Sequence, residues 1–367
     1  MRFLCVVGTR PEAIKLAPVI LELTRHSEVI TLCSGQHTEL AEEPLAWFGI
    51  KPDERIAIDA QARTLAVLTG ALFAPLEQMI GKHKPDVIVA QGDTTTLFVT
   101  ALTAFYLGVP FAHVEAGLRT GNFQSPFPEE FNRVAAGKLA TWHFAPTQRA
   151  AANLRAESAD PAKIFVTGNT GIDALRLTLA RIKKPPTGGR FRRILLTAHR
   201  RENQGERMAA ICRAVSAIVG EFDDVEFVVP VHPNPAAAAS FEALKNNDRI
   251  YLSPPLGYPQ LVSEMVRAHL ILTDSGGIQE EAPFLRKPVL VLRDVTERPE
   301  AAEMGVASLV GADTATLVTA VRHLLTDEAS YATMAGGGSP YGDGYAAQRI
   351  ARAFGQSKDA APADGPQ

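Results

Sequence analysis

The chain has 367 residues with 37 Lys+Arg against 40 Asp+Glu, so its net charge of −3 creates no global field for nucleic acid or an anionic membrane, and recognition must be local. That length suits two core-bearing domains of about 150 residues or more each. Cys5, Cys33 and Cys212 are lone thiols without CxxC or zinc-type spacing, no apolar run approaches the roughly 18 residues of a membrane span, and no leader pattern precedes the first strand; a soluble, cytoplasmic protein without disulfides or bound metal is expected.

Short apolar runs alternate with helical patterns through both halves, which predicts parallel βαβ units and two doubly wound, Rossmann-like α/β sheets. The first strand, 3–7, ends in Gly8-Thr9-Arg10-Pro11-Glu12-Ala13-Ile14-Lys15. No GxGxxG stands there, which argues against a dinucleotide, whereas Arg10 and Lys15 suit a phosphate clamp at a helix N-terminus; the blander alternative is a solvated basic pair. Further strands fall at 29–33, 87–90, 111–114, 142–144 and 164–166. In Gln91-Gly92-Asp93-Thr94-Thr95-Thr96, Asp93 or Thr94 is by default a helix N-cap. The next strand, however, carries Glu115 to the same sheet edge, and two neighbouring acids can perturb each other and divide proton roles.

The run 113–133, HVEAGLRTGNFQSPFPEEFNR, is the most informative. His113 lies inside the strand and reads as a core histidine. Glu115 follows at the strand's C-terminal end, where open α/β sheets bind ligands. Glu129 and Glu130 follow Pro128 in a first helical turn, where the dipole favours ionised acids, and Glu129 shares a helical face with Arg133.

Gly168-Asn169-Thr170-Gly171 reads as a hinge, and 183–190 is a basic, Pro/Gly-rich break. A second strand series falls at 194–197, 225–229, 250–252, 270–272, 289–292 and 308–310. His199 opens a loop with a cation cluster and can meet a phosphate or protonate a departing one. His232 sits among three prolines that stiffen its loop. Ser275, Gly276 and Gly277 open a helix whose backbone N–H groups can cradle a diphosphate, with Glu281 about one turn in, placed to accept from ribose hydroxyls. Arg298 starts the following helix. A last helix is predicted over 345–354, and 357–367, without a large apolar residue, is expected to be disordered.

The runs GTRPEAIKLAPV (8–19), QGDTTT (91–96), HVEAGLRT with PFPEEFNR, HRREN (199–203), DSGGIQEEAP (274–283) and TERPE (296–300) together resemble the non-hydrolysing UDP-N-acetylglucosamine 2-epimerases over nearly the whole chain. The resemblance implies a glycosyltransferase-B-like pair of domains facing a cleft: 1–169 carrying the acid/base residues, 170–344 binding UDP, a helix at 345–356 crossing back, and the tail 357–367. It implies interconversion of UDP-GlcNAc and UDP-ManNAc without cofactor, by elimination and re-addition of UDP through 2-acetamidoglucal. On that similarity Asp93, Glu115 and Glu129 handle protons, with faces unassigned. Arg10, Lys15, Arg133 and His199 bind or protonate around the diphosphate, Ser275, Gly276 and Gly277 cradle it, Glu281 holds the ribose, and His232 and Arg298 complete the lining; Glu130 is left as a dipole-stabilised neighbour. A homodimer also comes from the resemblance.

Two departures stand out. Leu261, preceded by Gly257, occupies the position where many relatives pack an aromatic residue on uracil, leaving apolar packing. Gln36-His37-Thr38-Glu39 and Thr69-Gly70-Ala71 lack residues of the family's regulatory substrate site, so activation by substrate is expected to be weakened or absent. The rival readings are a hydrolysing relative releasing free ManNAc, an epimerase of a modified UDP-HexNAc, and a non-catalytic nucleotide-sugar-binding protein.

Overall fold

The computed structural model describes residues 1–36, 38–58, 64–183, 189–231 and 240–356. Alternation of apolar strands with amphipathic helices builds β1 (Arg2–Val7), α1 (Arg10–Thr24), β2 (Glu28–Cys33), α2 (Thr38–Trp47), β3 (Glu54–Arg55), α3 (Leu65–His83), β4 (Val87–Gln91), α4 (Thr95–Tyr106), β5 (Phe111–Val114), α5 (Glu129–Leu139), β6 (Trp142–Ala145), α6 (Gln148–Ala156), β7 (Ile164–Val166) and α7 (Thr170–Leu179). These strands form one parallel sheet in the order β3-β2-β1-β4-β5-β6-β7. The chain thus works outward from β1 to β3, then resumes at β4 on the other side of β1. That reversal is a topological switch point, where parallel sheets bind ligands at strand C-termini.

The second series is β8 (Arg192–Thr197), α8 (Glu206–Glu221), β9 (Val225–Pro230), β10 (Ile250–Ser253), α9 (Tyr258–Arg267), β11 (Leu270–Thr273), α10 (Gly276–Phe284), β12 (Val289–Val291), α11 (Pro299–Glu303), β13 (Ala307–Leu309), α12 (Thr314–Thr326) and α13 (Glu328–Gly336). Its sheet runs β10-β9-β8-β11-β12-β13, again parallel, with the switch point between β8 and β11. Each sheet has its own core: Leu4, Val6, Leu32, Ile88 and Leu97 are among the buried residues of the first, and Ile194, Leu196, Val215, Phe227 and Leu272 among those of the second. Strand ends differ from the sequence expectation by one or two residues. The two-residue β3 was not expected, because Glu54-Arg55 carries no apolar run.

The chain divides into unit 1, Met1–Arg176 together with Tyr341 onward, and unit 2, Leu177–Pro340. The chain divides inside α7, seven residues beyond the expected 169/170, and residues 170–176 stay with unit 1: Ile172, Ala174 and Leu175 are fully buried. The return falls at Tyr341, ahead of the expected 345. Asp173 supplies a reason, since its carboxylate accepts from Ala346 N (3.0 Å) and Ala347 N (2.9 Å) and so caps the last helix, α14 (Ala346–Gln356). Phe354 of α14 packs on Phe3, Phe144 and Trp142 at centroid separations of 4.9, 5.3 and 5.4 Å. The outgoing and returning chains meet closely. Asn169 N donates to Tyr341 O at 2.7 Å, and a Cβ on Gly342 (φ 121°) would stand 3.2 Å from Gly168 Cα (φ 88°), so only glycine fits this crossing without strain.

Candidate functional site

In unit 1 the acids gather at the C-terminal ends of β4 and β5, beside the switch point. Thr94 caps α4, its hydroxyl accepting from Leu97 N at 3.2 Å, which leaves the Asp93 side chain free of capping duty. The turn before it is fixed from several sides. Gly92, at φ 85°, donates its N–H to Val114 O (3.0 Å), and its carbonyl meets His113 Nε2 at 2.8 Å. Burial pushes the His113 imidazole down to about 3, so it is a neutral core residue, in agreement with the sequence reading. Asn132 Nδ2 donates to Asp93 O (2.9 Å) and Arg133 Nη2 to Asp93 Oδ2 (2.6 Å).

Glu115 takes a left-handed backbone conformation, φ 64°, immediately after β5. Such a conformation is uncommon for a non-glycine residue and persists only when its surroundings hold it. Here they do. Lys15 Nζ donates to Glu115 Oε1 at 2.6 Å, Asn169 Nδ2 to the same oxygen at 3.1 Å, and Gln91 Nε2 to Oε2. Glu115, Lys15, Gln91 and Asn169 are all buried. A carboxylate with one ammonium and two amide donors is held ionised and oriented.

The structure distributes the sequence-predicted residues differently in three respects. Asp93 and Glu115, expected to perturb one another, each have their own cation. Lys15, expected on phosphate, lies against Glu115. Arg10, at the start of α1, lies 3.7 Å from Glu43 and is partly exposed. Glu129 opens α5 as predicted and is half-buried. Its neighbour Glu130 is more than a dipole-stabilised bystander: buried at 1 %, it accepts from Thr120 N and Gly121 N, both at 2.9 Å, and lies 3.3 Å from Arg133 Nη1. Glu130 thus anchors the loop after Glu115 to the helix that bears Glu129. Glu12 is a further carboxylate that motif reading passed over; wholly buried, it accepts from Gly8 N (2.9 Å), Thr9 N (2.6 Å) and Thr94 Oγ1 (2.5 Å), tying the turn after β1 to the turn after β4.

In unit 2 the switch-point turns after β8 and β11 are joined by Asp274. Its Oδ2 accepts from His199 N, Arg200 N and Asn203 Nδ2, each at 2.9 Å, and its Oδ1 lies 3.2 Å from His199 Nδ1. A buried carboxylate at Nδ1 leaves Nε2 of the half-exposed imidazole as the nitrogen available to a ligand. Beside it, Ser275 precedes α10, whose first-turn N–H groups have no intrahelical acceptor. A Cβ at Gly276 would come within 2.7 Å of Arg298 Nη1, so any side chain there would displace the guanidinium. The Arg298 guanidinium, ion-paired with Glu280 (2.5 Å) and Glu297, therefore packs directly on the helix N-terminus. At Gly277 a Cβ would meet nothing within 4 Å. Glu281 accepts from the buried Tyr258 hydroxyl at 2.8 Å, which fixes the carboxylate expected at the ribose. Leu261 is half-buried on α9; His232 and His37 lie outside the described residues.

Gln91, Asn132, Asn169, Asn203, Asp274 and Tyr258 were not singled out from the sequence. The signal was present for Asp274, Gln91, Asn132 and Asn203, each inside a matched motif. A cluster of His, Cys, Asp and Glu fit for a metal ion is absent among the described residues, and no helix there is long and apolar enough to cross a membrane.

The family described as UDP-N-acetylglucosamine 2-epimerase matches residues 21–355. The UDP-N-acetylglucosamine 2-epimerase of Bacillus subtilis strain 168 is 46% identical over 356 residues, 95% of this chain and 94% of that one. A crystal structure of a putative UDP-N-acetylglucosamine 2-epimerase from Listeria monocytogenes superimposes with a TM-score of 0.94 at 43% identity, covering 99% of this chain and 97% of the other. The UDP-GlcNAc 2-epimerase from Neisseria meningitidis, solved bound to UDP-GlcNAc, gives a TM-score of 0.90 at 40% identity, covering 97% and 100%.

Proposed function

Because the chain belongs to the UDP-N-acetylglucosamine 2-epimerase family and shares its α/β, glycosyltransferase-B-like architecture and its epimerase activity, we propose that it interconverts UDP-GlcNAc and UDP-ManNAc by reversible loss of UDP. In this reaction a base removes the C2 proton while the C1–O bond breaks and its electron pair leaves with the β-phosphate oxygen. The 2-acetamidoglucal so formed carries the C1=C2 double bond. Return of the phosphate oxygen to C1, with a proton delivered to the other face of C2, gives the epimer. The chemistry needs two proton-handling groups and a site that stabilises departing diphosphate charge.

The observation that carries this reading is Glu115, a buried carboxylate gripped by three donors at a strand end, with Asp93 held separately by Arg133 on the adjoining strand end. Two acids with distinct partners can hold different protonation states during one cycle, and Glu129 stands in the positive end of α5 as the third. For the leaving group, the α10 N-terminus with Ser275, Gly276, Gly277 and Arg298 supplies positive potential, His199 a proton or hydrogen bond through Nε2, and Glu281 a ribose acceptor. Arg10 and His232 join them by family position, and Leu261 gives the uracil an apolar neighbour. We take the enzyme to be a cytoplasmic homodimer; its three buried free thiols suit a reducing compartment, and Phe105, Tyr106 and Leu107, exposed at the end of α4, offer apolar surface for a second copy.

Incubation with UDP-GlcNAc in heavy water tests the reaction. Deuterium should enter C2 and UDP-ManNAc should accumulate. UDP-GlcNAc bound without any exchange would reduce the protein to a binder, and free ManNAc as the product would make it a hydrolysing enzyme.

A further inference from the structure

We propose that Asn169 is the positioning residue of Glu115, tying that carboxylate to the crossing where the chain leaves unit 1 and returns; this rests on the epimerase reading above. Asn169 is 2% exposed, and its backbone N–H, its side-chain oxygen and its side-chain nitrogen are committed in three different directions. Its backbone N–H donates to Tyr341 O on the returning chain (2.7 Å), its Oδ1 accepts from Gly171 N at the start of α7 (2.8 Å), and its Nδ2 donates to Glu115 Oε1 (3.1 Å). The side chain cannot rotate to trade one bond for another, because both ends of the amide are occupied. The Gly168–Gly342 close approach fixes the backbone beneath it. Glu115 itself is held in a left-handed conformation that needs outside support. Asn169 supplies that support from the connection between β7 and α7, and β7 does not adjoin β5.

The amide donor favours the ionised carboxylate and points its remaining lone pairs. Two substitutions separate this role from a purely structural one. Asn169→Asp preserves volume and the acceptor for Gly171 N, and Asp is as good a helix cap as Asn. It removes the donor and turns a second carboxylate toward Glu115. Asn169→Ala removes cap and donor together without adding charge. If Asn169 only capped α7, Asp would be nearly silent and Ala the worse change.

Positioning of Glu115 predicts the reverse order. Asn169→Asp should lower kcat for UDP-GlcNAc epimerisation by about a hundredfold and Asn169→Ala by about tenfold, the range expected for a hydrogen bond to a charged group. KM should stay within about twofold, and the acidic limb of the kcat–pH profile should move to higher pH, further for Asp than for Ala. UDP affinity measured by calorimetry should be close to wild type for Asn169→Asp. A near-wild-type kcat and pH profile for Asn169→Asp would overturn the assignment. Absence of C2 exchange in the wild-type protein would instead remove the reading on which it rests.

Discussion

Asp93 and Glu130 make the sharpest contrast at the scale of single residues. Both pair with Arg133, yet Asp93 is half-exposed on a turn, whereas Glu130 is buried and accepts from the Thr120 and Gly121 amides at one oxygen, Oε1. Asp93→Asn keeps the shape and the cap at Thr94, so UDP should bind within about twofold of wild type in calorimetry while turnover falls by roughly 10² to 10⁴, the usual worth of a positioned acid or base. Retained turnover would remove Asp93 from the chemistry. Strand-end acids such as Asp93 and Glu115 are legible in a sequence because charge directly after an apolar run has few structural uses. Their partners are less so. Asn169, Gln91 and Asn132 act through amide donors, a residue type common in any loop, and their targets lie across the sheet rather than along the chain. The division of labour between Glu129 and Glu130 was legible only in part: helical spacing placed Glu129 on the Arg133 face, but not the loop amides that claim Glu130.

Among the elements, α14 ties the end of the described chain to both the start and the middle of unit 1. Phe354 enters an aromatic pocket of Phe3, Trp142 and Phe144, and Asp173 caps its N-terminus. Phe354→Ala should destabilise unit 1 by about 3–5 kcal/mol, the range for a buried aromatic truncated to alanine. The two tryptophans, Trp47 and Trp142, both lie in unit 1, so urea unfolding followed by tryptophan fluorescence reads that unit selectively. An unmoved midpoint would mean that α14 is docked without supporting the unit. The strands of both sheets were readable because buried parallel strands are short, continuous apolar runs. The boundary inside α7 was not, since the turn chemistry of Gly168–Gly171 looks like a hinge locally, while the tie between Asp173 and the helix it caps spans 173 residues of chain.

Over the whole molecule, acid sensitivity follows from buried titratable groups of opposing sign. His113 and His143, register partners on β5 and β6, are pushed by burial down to about 3 and about 4. Unfolding restores an ordinary histidine near 6.5, so between that value and 4 the unfolded chain binds protons that the folded one does not, and stability falls as pH falls. Glu12 and Asp173, raised by burial to about 7 and about 6, act in the opposite direction, because the folded state then holds the extra proton. Wild type alone therefore mixes the two effects, and a variant isolates one. His143→Gln should lose less stability than wild type on going from pH 6.5 to 5, by up to about 2 kcal/mol. Parallel urea midpoints at both pH values check it, and equal losses would show that His143 does not titrate on unfolding.

Unit 2 is one uninterrupted stretch of chain, whereas unit 1 is closed by a helix made after all of unit 2. During synthesis on the ribosome, unit 2 can fold as soon as it emerges, but the aromatic pocket around Phe3 stays open to solvent until Phe354 arrives. Unit 1 is thus begun before unit 2 and finished after it. Nascent unit 1 must pass through a state with exposed aromatic surface, the period in which chaperone capture or aggregation competes with completion of the enzyme.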